Sequence, residues 1–238
     1  MANQPPRPGR DPSNPIRSYG IITVRYAASG VPELLMAQKR FTMHFIAFVI
    51  GDYRLKDRRF VRGLFHMMVP AEKESIMANA FDHLWFEVNG RNRRKFGEAH
   101  RKYQAFIDTY NLTELCTLRS TYTETEWEFP KGRPARGEDQ YEAAFREFRE
   151  ETGIPESDLI KVDRDTFFTE SLHGTDGRWY LYIYYLCMAR DRECHEKFNN
   201  NREICQLQWI PADRGHKMFR RHYTERKILV RDLSRALA

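Results

Sequence analysis

The stretch that most restricts how this chain can fold runs from Trp127 to Ile154, WEFPKGRPARGEDQYEAAFREFREETGI. A short β-prone run, Glu124 to Phe129, stops at Pro130, and a loop holding Gly132 and Gly137 follows. Asp139 to Thr152 then forms helix without interruption until Gly153 ends it. Glu147, Glu150 and Glu151 fall at i, i+3 and i+4 of that helix, so the three carboxylates project from one face. Ala143, Ala144 and Phe148 are expected on the packed side. Like charges this close repel, and they become favourable when a divalent cation sits between them. Taken alone, three glutamates are also compatible with a solvated acidic helix.

Around this element the chain reads as mixed α and β. Tyr19 to Tyr26 and Glu33 to Gln38 are apolar, β-prone runs separated by AASGVP, which predicts a hairpin. From Phe41 to Glu114 glycine and proline become sparse and apolar residues recur at threes and fours. Examples are Phe60, Leu64, Phe65 and Met68, then Ile76, Ala80, Phe81, Leu84 and Trp85, with a third helix expected over Phe96 to Tyr110. Phe167 to Leu172, Trp179 to Ala189 and Gln206 to Ile210 read as strands, and His222 to Leu237 as a closing amphipathic helix. The expected fold is α+β, an α/β/α sandwich with a mixed sheet, interrupted by a helical insertion subdomain. Residues 1–17, with five prolines, read as a flexible basic tail. Residues 18–40 and 115–238 form the sandwich, and 41–114 the insertion.

Four cysteines are too few for a disulfide scaffold, and their spacing lacks the paired arithmetic of a structural zinc site. No disulfide partner is expected. No apolar stretch approaches the roughly 20 residues of a membrane span, and no leader-like segment opens the chain. The expected location is therefore a reducing cytoplasm.

The spacing of the central segment carries more than a helix. Gly132, five residues, Glu138, seven residues, then Arg146-Glu147, Glu150-Glu151 and Gly153-Ile154 match the signature GX5EX7REUXEEXGU, with U apolar, at every specified position. The chain therefore resembles the Nudix hydrolases, which cleave nucleoside diphosphates linked to another group. The resemblance implies that Glu147, Glu150 and Glu151 hold Mg²⁺ or Mn²⁺, hard cations that also seek phosphate oxygens. Gly132 offers a tight turn and a further carbonyl ligand, and Glu138 with Arg146 braces the helix.

Two further segments narrow the branch. WEFPKGR is similar to the PKG entry of mRNA-decapping and diphosphoinositol-polyphosphate Nudix enzymes, and NREICQLQW, Asn201 to Trp209, to the Glu-Ile-x-x-apolar-x-Trp segment of decapping domains. The latter implies that Glu203 is a metal ligand or general base. Two β runs, a helical insertion and then the signature also resemble in layout the decapping enzymes of large DNA viruses, of asfarvirus and poxvirus type. Where a basic residue is favoured there, this chain has Gly51-Asp52-Tyr53. The implied reaction is removal of the 5′ cap from RNA, releasing methylated GDP and 5′-monophosphate RNA, in the host cytoplasm for a viral enzyme. Hydrolysis of small diphosphate substrates, and RNA binding without turnover, are the other readings. The oligomeric state is not legible.

Charge points the same way. The whole chain carries a formal +6, and the span Arg54 to Lys102 alone holds twelve Lys and Arg against six Asp and Glu. Arg54, Lys56, Arg58 and Arg59 form one cluster, and Arg91, Arg93, Arg94 and Lys95 another. Both are interleaved with aromatic residues, as a surface following an RNA backbone would be. A methylated cap base is positively charged and favours aromatic rings with a carboxylate at its edge. The candidates are Phe41, Phe45, Trp179, Tyr180 and Tyr182 for the rings and Asp176 or Glu170 for the edge.

Overall fold

A computed structural model describes residues 9, 11–174, 177–190, 193, 194, 198 and 200–238. Most of the expected basic tail, residues 1–8 and 10, lies outside them, as does Asp176. The chain divides into two compact units, one of Met1–Gln38 with Trp127–Ala238 and one of Lys39–Glu126. Residues 115–126 thus group with the helices. The first strands, β1 (Ile16–Tyr26) and β2 (Pro32–Lys39), form the antiparallel hairpin, with Val24 opposite Leu34.

The helical unit contains α1 (Met43–Ile50), α2 (Arg58–Met67), α3 (Pro70–Ala78), α4 (Phe81–Asn89), α5 (Phe96–Thr109) and the short α6 (Leu112–Cys116). The periodicity from Ile76 to Trp85, which reads as one helix, is two. Asn79 turns extended and bonds back through its side-chain amide to Ser75 O at 3.0 Å, so α3 ends and α4 restarts with the apolar stripe still in phase. Thr42 and Asp57 cap α1 and α2 by accepting from Phe45 N and Phe60 N. Phe45, Phe48, Phe65, Leu84, Trp85 and Phe106 fill this unit's own core.

The sheet unit continues with β3 (Trp127–Glu128), β4 (Lys131–Gly132), α7 (Gln140–Thr152), β5 (Leu159–Lys161), β6 (Phe167–His173), β7 (Trp179–Ala189), β8 (Ile204–Pro211), α8 (Ala212–Gly215) and α9 (Thr224–Leu237). Among the described residues the sheet has eight strands, in the order β3-β2-β1-β7-β5 with β4 on β1, β6 on β7 and β8 on β2. β1 and β7 run parallel while their other registered pairings are antiparallel, so the sheet is mixed. Alternation along the strands builds two apolar faces. Ile21, Leu35, Tyr185 and Cys187 pack against Ala144, Phe145 and Phe148 of α7, whereas Ile22, Val24, Leu34 and Met36 pack against Leu229, Val230 and Leu233 of α9. Each large apolar side chain buried this way contributes about 1.5–3 kcal/mol. This is the expected α+β sandwich, helices on both sides of a mixed sheet. No helix among the described residues is long and apolar enough to cross a membrane.

Each unit buries charged side chains. On the α9 side, Arg226 donates to Glu170 at 2.8 Å with both side chains at most 2% exposed, and its guanidinium lies over the Phe219 and Tyr223 rings. In the helical unit, the Glu72 carboxyl accepts from Thr42 N, Thr42 Oγ1 and Val69 N. Those donors favour its charged form, but burial outweighs them and, with the negative potential of Glu126, pushes the group up to about 7 from 4.5.

Two outcomes are expected. Arg226→Met leaves Glu170 as a lone buried charge and costs about 3–5 kcal/mol in urea unfolding, most of it recovered when Glu170→Leu is added. For Glu72, both the folded and unfolded chains hold the proton below pH ~4.5; between there and about 7 only the unfolded chain ionises. Stability therefore falls as pH rises through that window, by about 3 kcal/mol, and Glu72→Gln flattens the profile.

Candidate active site

The helix α7 is fixed at both ends by its own sequence. The Asp139 carboxylate caps it by accepting from Tyr141 N at 2.9 Å, and Gly153 closes it in the left-handed region, φ 71°, donating to Arg149 O. One face, with Ala144 and Phe148, is sunk into the sheet. The neighbouring face presents the glutamates. Glu151 is buried and its Oε2 accepts from Lys131 N at 3.0 Å, which ties the helix to β4. Gly132 follows on that strand, opposite Tyr19 of β1. A Cβ at Gly132 would lie 2.0 Å from Cδ of Glu147, so only glycine lets this carboxylate lie against the strand.

Arg146 organises the remaining charges. Its Nε and Nη2 donate to the two oxygens of Glu138 at 2.7 and 3.0 Å, a bidentate pair. Nη1 donates to Glu147 at 2.9 Å and to Glu150 at 3.2 Å, while Nη2 also reaches Arg133 O at 3.0 Å. The Arg146 pairing, with help from Ala135 N–H, holds the Glu138 carboxyl down to about 2. Glu147 goes the other way. Burial raises it against the pull of Arg146, and the negative potentials of Glu150 and Glu203 add to the rise.

Glu203, far away in sequence, is brought toward the end of this helix by the hydrogen bonds of Asn201. Glu203 is exposed and begins the approach to β8, while Glu150 is exposed on the last turns of α7. Asn201 joins the two elements: its Nδ2 donates to Glu151 O at 2.8 Å and its Oδ1 accepts from Glu203 N at 2.9 Å. Neither Asn201 nor the Arg133 carbonyl is singled out by the sequence. An asparagine two residues before a motif glutamate is the signal that was there to use.

The chemistry of this donor set suits a hard divalent cation. Among the described residues no three Asp, Glu, His or Cys side chains stand as a ready-made cluster; Glu147 and Glu150 instead share the Arg146 guanidinium. A carboxyl raised by burial, with further carboxylates beside it, is one whose ionised form gains from an added positive charge. The residues present therefore fit Mg²⁺ or Mn²⁺ held by carboxylate oxygens.

The other candidates scatter. Arg54, Lys56, Arg58 and Arg59, and Arg91, Arg93, Arg94 and Lys95, are all exposed on the helical unit. The loop before α2 is tied along α5 by Tyr53 Oη to Lys102 O and Tyr110 Oη to Leu55 O, and the second cluster leads directly into α5. Arg54 lies over Phe60 and Arg93 over Phe96. Phe45, a candidate ring for a cap base, is fully buried against Phe41 and the helical core and has no free face. Glu170 is withdrawn likewise, because Arg226 holds it inside the sandwich. Trp179, Tyr180 and Tyr182 are partly exposed on β7, with Trp179 against the His173 ring. Phe41 is partly exposed on the helical unit.

Comparison with known proteins identifies the family. The profile of the NUDIX domain family matches residues 105–233. A protein of Acanthamoeba polyphaga mimivirus, provisionally named an mRNA-decapping protein, is 27% identical over 223 residues, 81% of this chain and 62% of its own length. The chain thus spans less than two thirds of that relative. The mRNA-decapping protein g5R of African swine fever virus is 28% identical over 181 residues, 72% of each chain. Among solved structures, an Ap4A hydrolase of C. elegans in a binary complex is similar in fold, with a TM-score of 0.51 and 16% identity over 93% of this chain and 97% of that one.

The Gly132 contact supplies the test of this geometry. Gly132→Ala displaces the Glu147 carboxylate and lowers Mn²⁺ affinity about tenfold or more, read from the signal of free Mn²⁺ in an EPR titration. Affinity unchanged from the parent chain contradicts the placement of Glu147.

Proposed function

The chain belongs to the NUDIX family, and we propose that it is a metal-dependent pyrophosphatase that removes the 5′ cap of RNA, releasing methylated GDP and 5′-monophosphate RNA. The observation that carries the reading is the glutamate face of α7, where Glu147 lies against Gly132 and shares Arg146 with Glu150, together with Asn201, which ties the segment carrying Glu203 to the last turn of that helix. Glu147, Glu150 and Glu151, with Glu203 and the Gly132 carbonyl, would hold Mg²⁺ or Mn²⁺. A bound cation supplies Lewis-acid polarisation of the phosphates and lowers the pKa of a coordinated water.

The protein's own residues do the rest. Glu203, exposed and outside the helix, accepts the proton of the attacking water. The water oxygen bonds to one phosphorus of the bridge that joins methylated GDP to the RNA 5′-phosphate, the bond from that phosphorus to the bridging oxygen breaks, and the oxygen leaves with the other product. Arg146 keeps Glu138 ionised and holds the glutamate face in place; its Nη1 is the positive charge that the carboxylates share.

Capped RNA as substrate is supported by the two viral relatives that carry the decapping name and by the helical unit, whose two exposed basic clusters suit a phosphate backbone. We assign the catalytic chemistry to the sheet unit and RNA holding to the helical unit. Phe41, Trp179, Tyr180 and Tyr182 remain the candidate rings for the cap base. A reducing cytoplasm, the host's for a viral source, fits a chain with four cysteines.

Cap-labelled RNA incubated with the protein and Mn²⁺ is expected to release methylated GDP, and Glu150→Gln to lower the rate at least ~10²-fold, a loss of ~2.7 kcal/mol of transition-state stabilisation. Full activity in that variant removes the mechanism. Cleavage of diphosphoinositol polyphosphate or free nucleoside diphosphates but not capped RNA moves the substrate to small molecules, and RNA binding with steep salt dependence but no turnover makes the chain a binding module.

A further inference from the structure

We propose that Asn201 is a positioning residue that fixes Glu203 against the end of the glutamate helix; this rests on the role given to Glu203 above. The last carbonyls of an α-helix have no partner within the helix. In α7 two of them, Glu150 O and Glu151 O, accept from Asn201 Nδ2 at 3.4 and 2.8 Å. The other end of the same amide, Oδ1, accepts from Glu203 N at 2.9 Å and Ile204 N at 2.8 Å. Asn201 N donates to Ile204 O at 3.1 Å and closes the turn.

The partners leave one orientation of the amide, with NH₂ toward carbonyls and oxygen toward N–H groups. No other side chain of this length offers both functions. Aspartate keeps the acceptor but loses the donor and adds a negative charge beside carboxylates; serine is too short to span both elements. Ile204, the next residue, is wholly buried in the core shared with α7. Glu203 therefore stands between an anchored turn and an anchored core residue, while its own side chain remains exposed. Its backbone is pinned to the turn that carries Glu150 and Glu151. Freed from Asn201, the segment keeps the Ile204 anchor but loses its hydrogen bonds to the last turn of the helix, and the backbone that carries the Glu203 side chain is no longer fixed there.

The test uses the full chain with Asn201→Ala, Asn201→Asp, Glu203→Gln and the double variant Asn201→Ala/Glu203→Gln. Four readouts are taken: kcat and KM on capped RNA, Mn²⁺ affinity without RNA, hydrogen exchange of the Glu203 and Ile204 amides, and melting temperature. Asn201→Ala is expected to lower kcat about tenfold or more with KM nearly unchanged. It is also expected to weaken Mn²⁺ binding and to speed exchange at the two amides, and Asn201→Asp to be at least as impaired. The double variant is expected to be no worse than Glu203→Gln alone, the non-additivity of residues acting as one unit.

Losses that multiply in the double variant, or parent-like kcat in Asn201→Ala while Glu203→Gln is crippled, overturn the proposal. So does parent-like kcat in Glu203→Gln, which also removes the role of Glu203. Should the parent chain leave capped RNA intact, the proposed function fails, and unchanged amide exchange and Mn²⁺ affinity in Asn201→Ala then overturn the positioning role separately.

Discussion

Carboxylates crowded onto one turn of a helix stay together only when positive charge answers them, and here the answer is the Arg146 guanidinium. It spends both nitrogens of one edge on Glu138 and still reaches Glu147 and Glu150. Such bidentate, charge-assisted contacts fix direction as well as distance. Because Arg146, Glu147 and Glu150 share α7, its rotation and translation on the sheet set where the acidic face points. Ala144 and Phe148 in the core, Glu151 on Lys131 N and Glu147 against Gly132 remove that freedom. A binding site for a hard cation needs this kind of prior constraint, since ligands left free to swing apart repel one another out of register.

The helical unit is inserted between two strands of the sheet. It leaves after β2 and returns at β3, and these strands pair directly, Gln38 opposite Trp127 and Ala37 opposite Glu128. Where the chain departs, Lys39 N donates to Glu126 O at 2.8 Å. The entry and exit points are thus adjacent and hydrogen-bonded, and the inserted helices need only satisfy their own core. They do so with a dense aromatic cluster around Phe48 and Phe106 and with Glu72 closing the first helix onto the third.

What the sequence discloses follows how local each determinant is. The glutamate helix, the glycine that ends it and the hairpin are written in neighbouring residues, and they stand where the pattern puts them. The two faces of β1 and β2, one against α7 and one against α9, emerge only once those helices are in place. The break at Asn79 was not legible, because the apolar stripe continues in phase across it and only the side-chain bond to Ser75 reveals the stop. Burial of aromatics was likewise hidden: Phe45 and the exposed Phe86 are the same residue type, and tertiary contact alone decides which one is buried. Glu170 looks like any strand glutamate until Arg226, from the end of the chain, closes over it. Asn201 belongs to this group too, since its meaning lies in carbonyls fifty residues upstream.

The account stands or falls on whether the glutamate face beside Gly132 is a metal site. The most direct measurement is an anomalous difference map from crystals of the full chain soaked in Mn²⁺. The account predicts manganese bound at the carboxylates of Glu147 and Glu150, with Glu151 or Glu203 completing the protein ligands. Manganese found only elsewhere, with Glu147 and Glu150 still bonded to Arg146 at saturating metal, would contradict it.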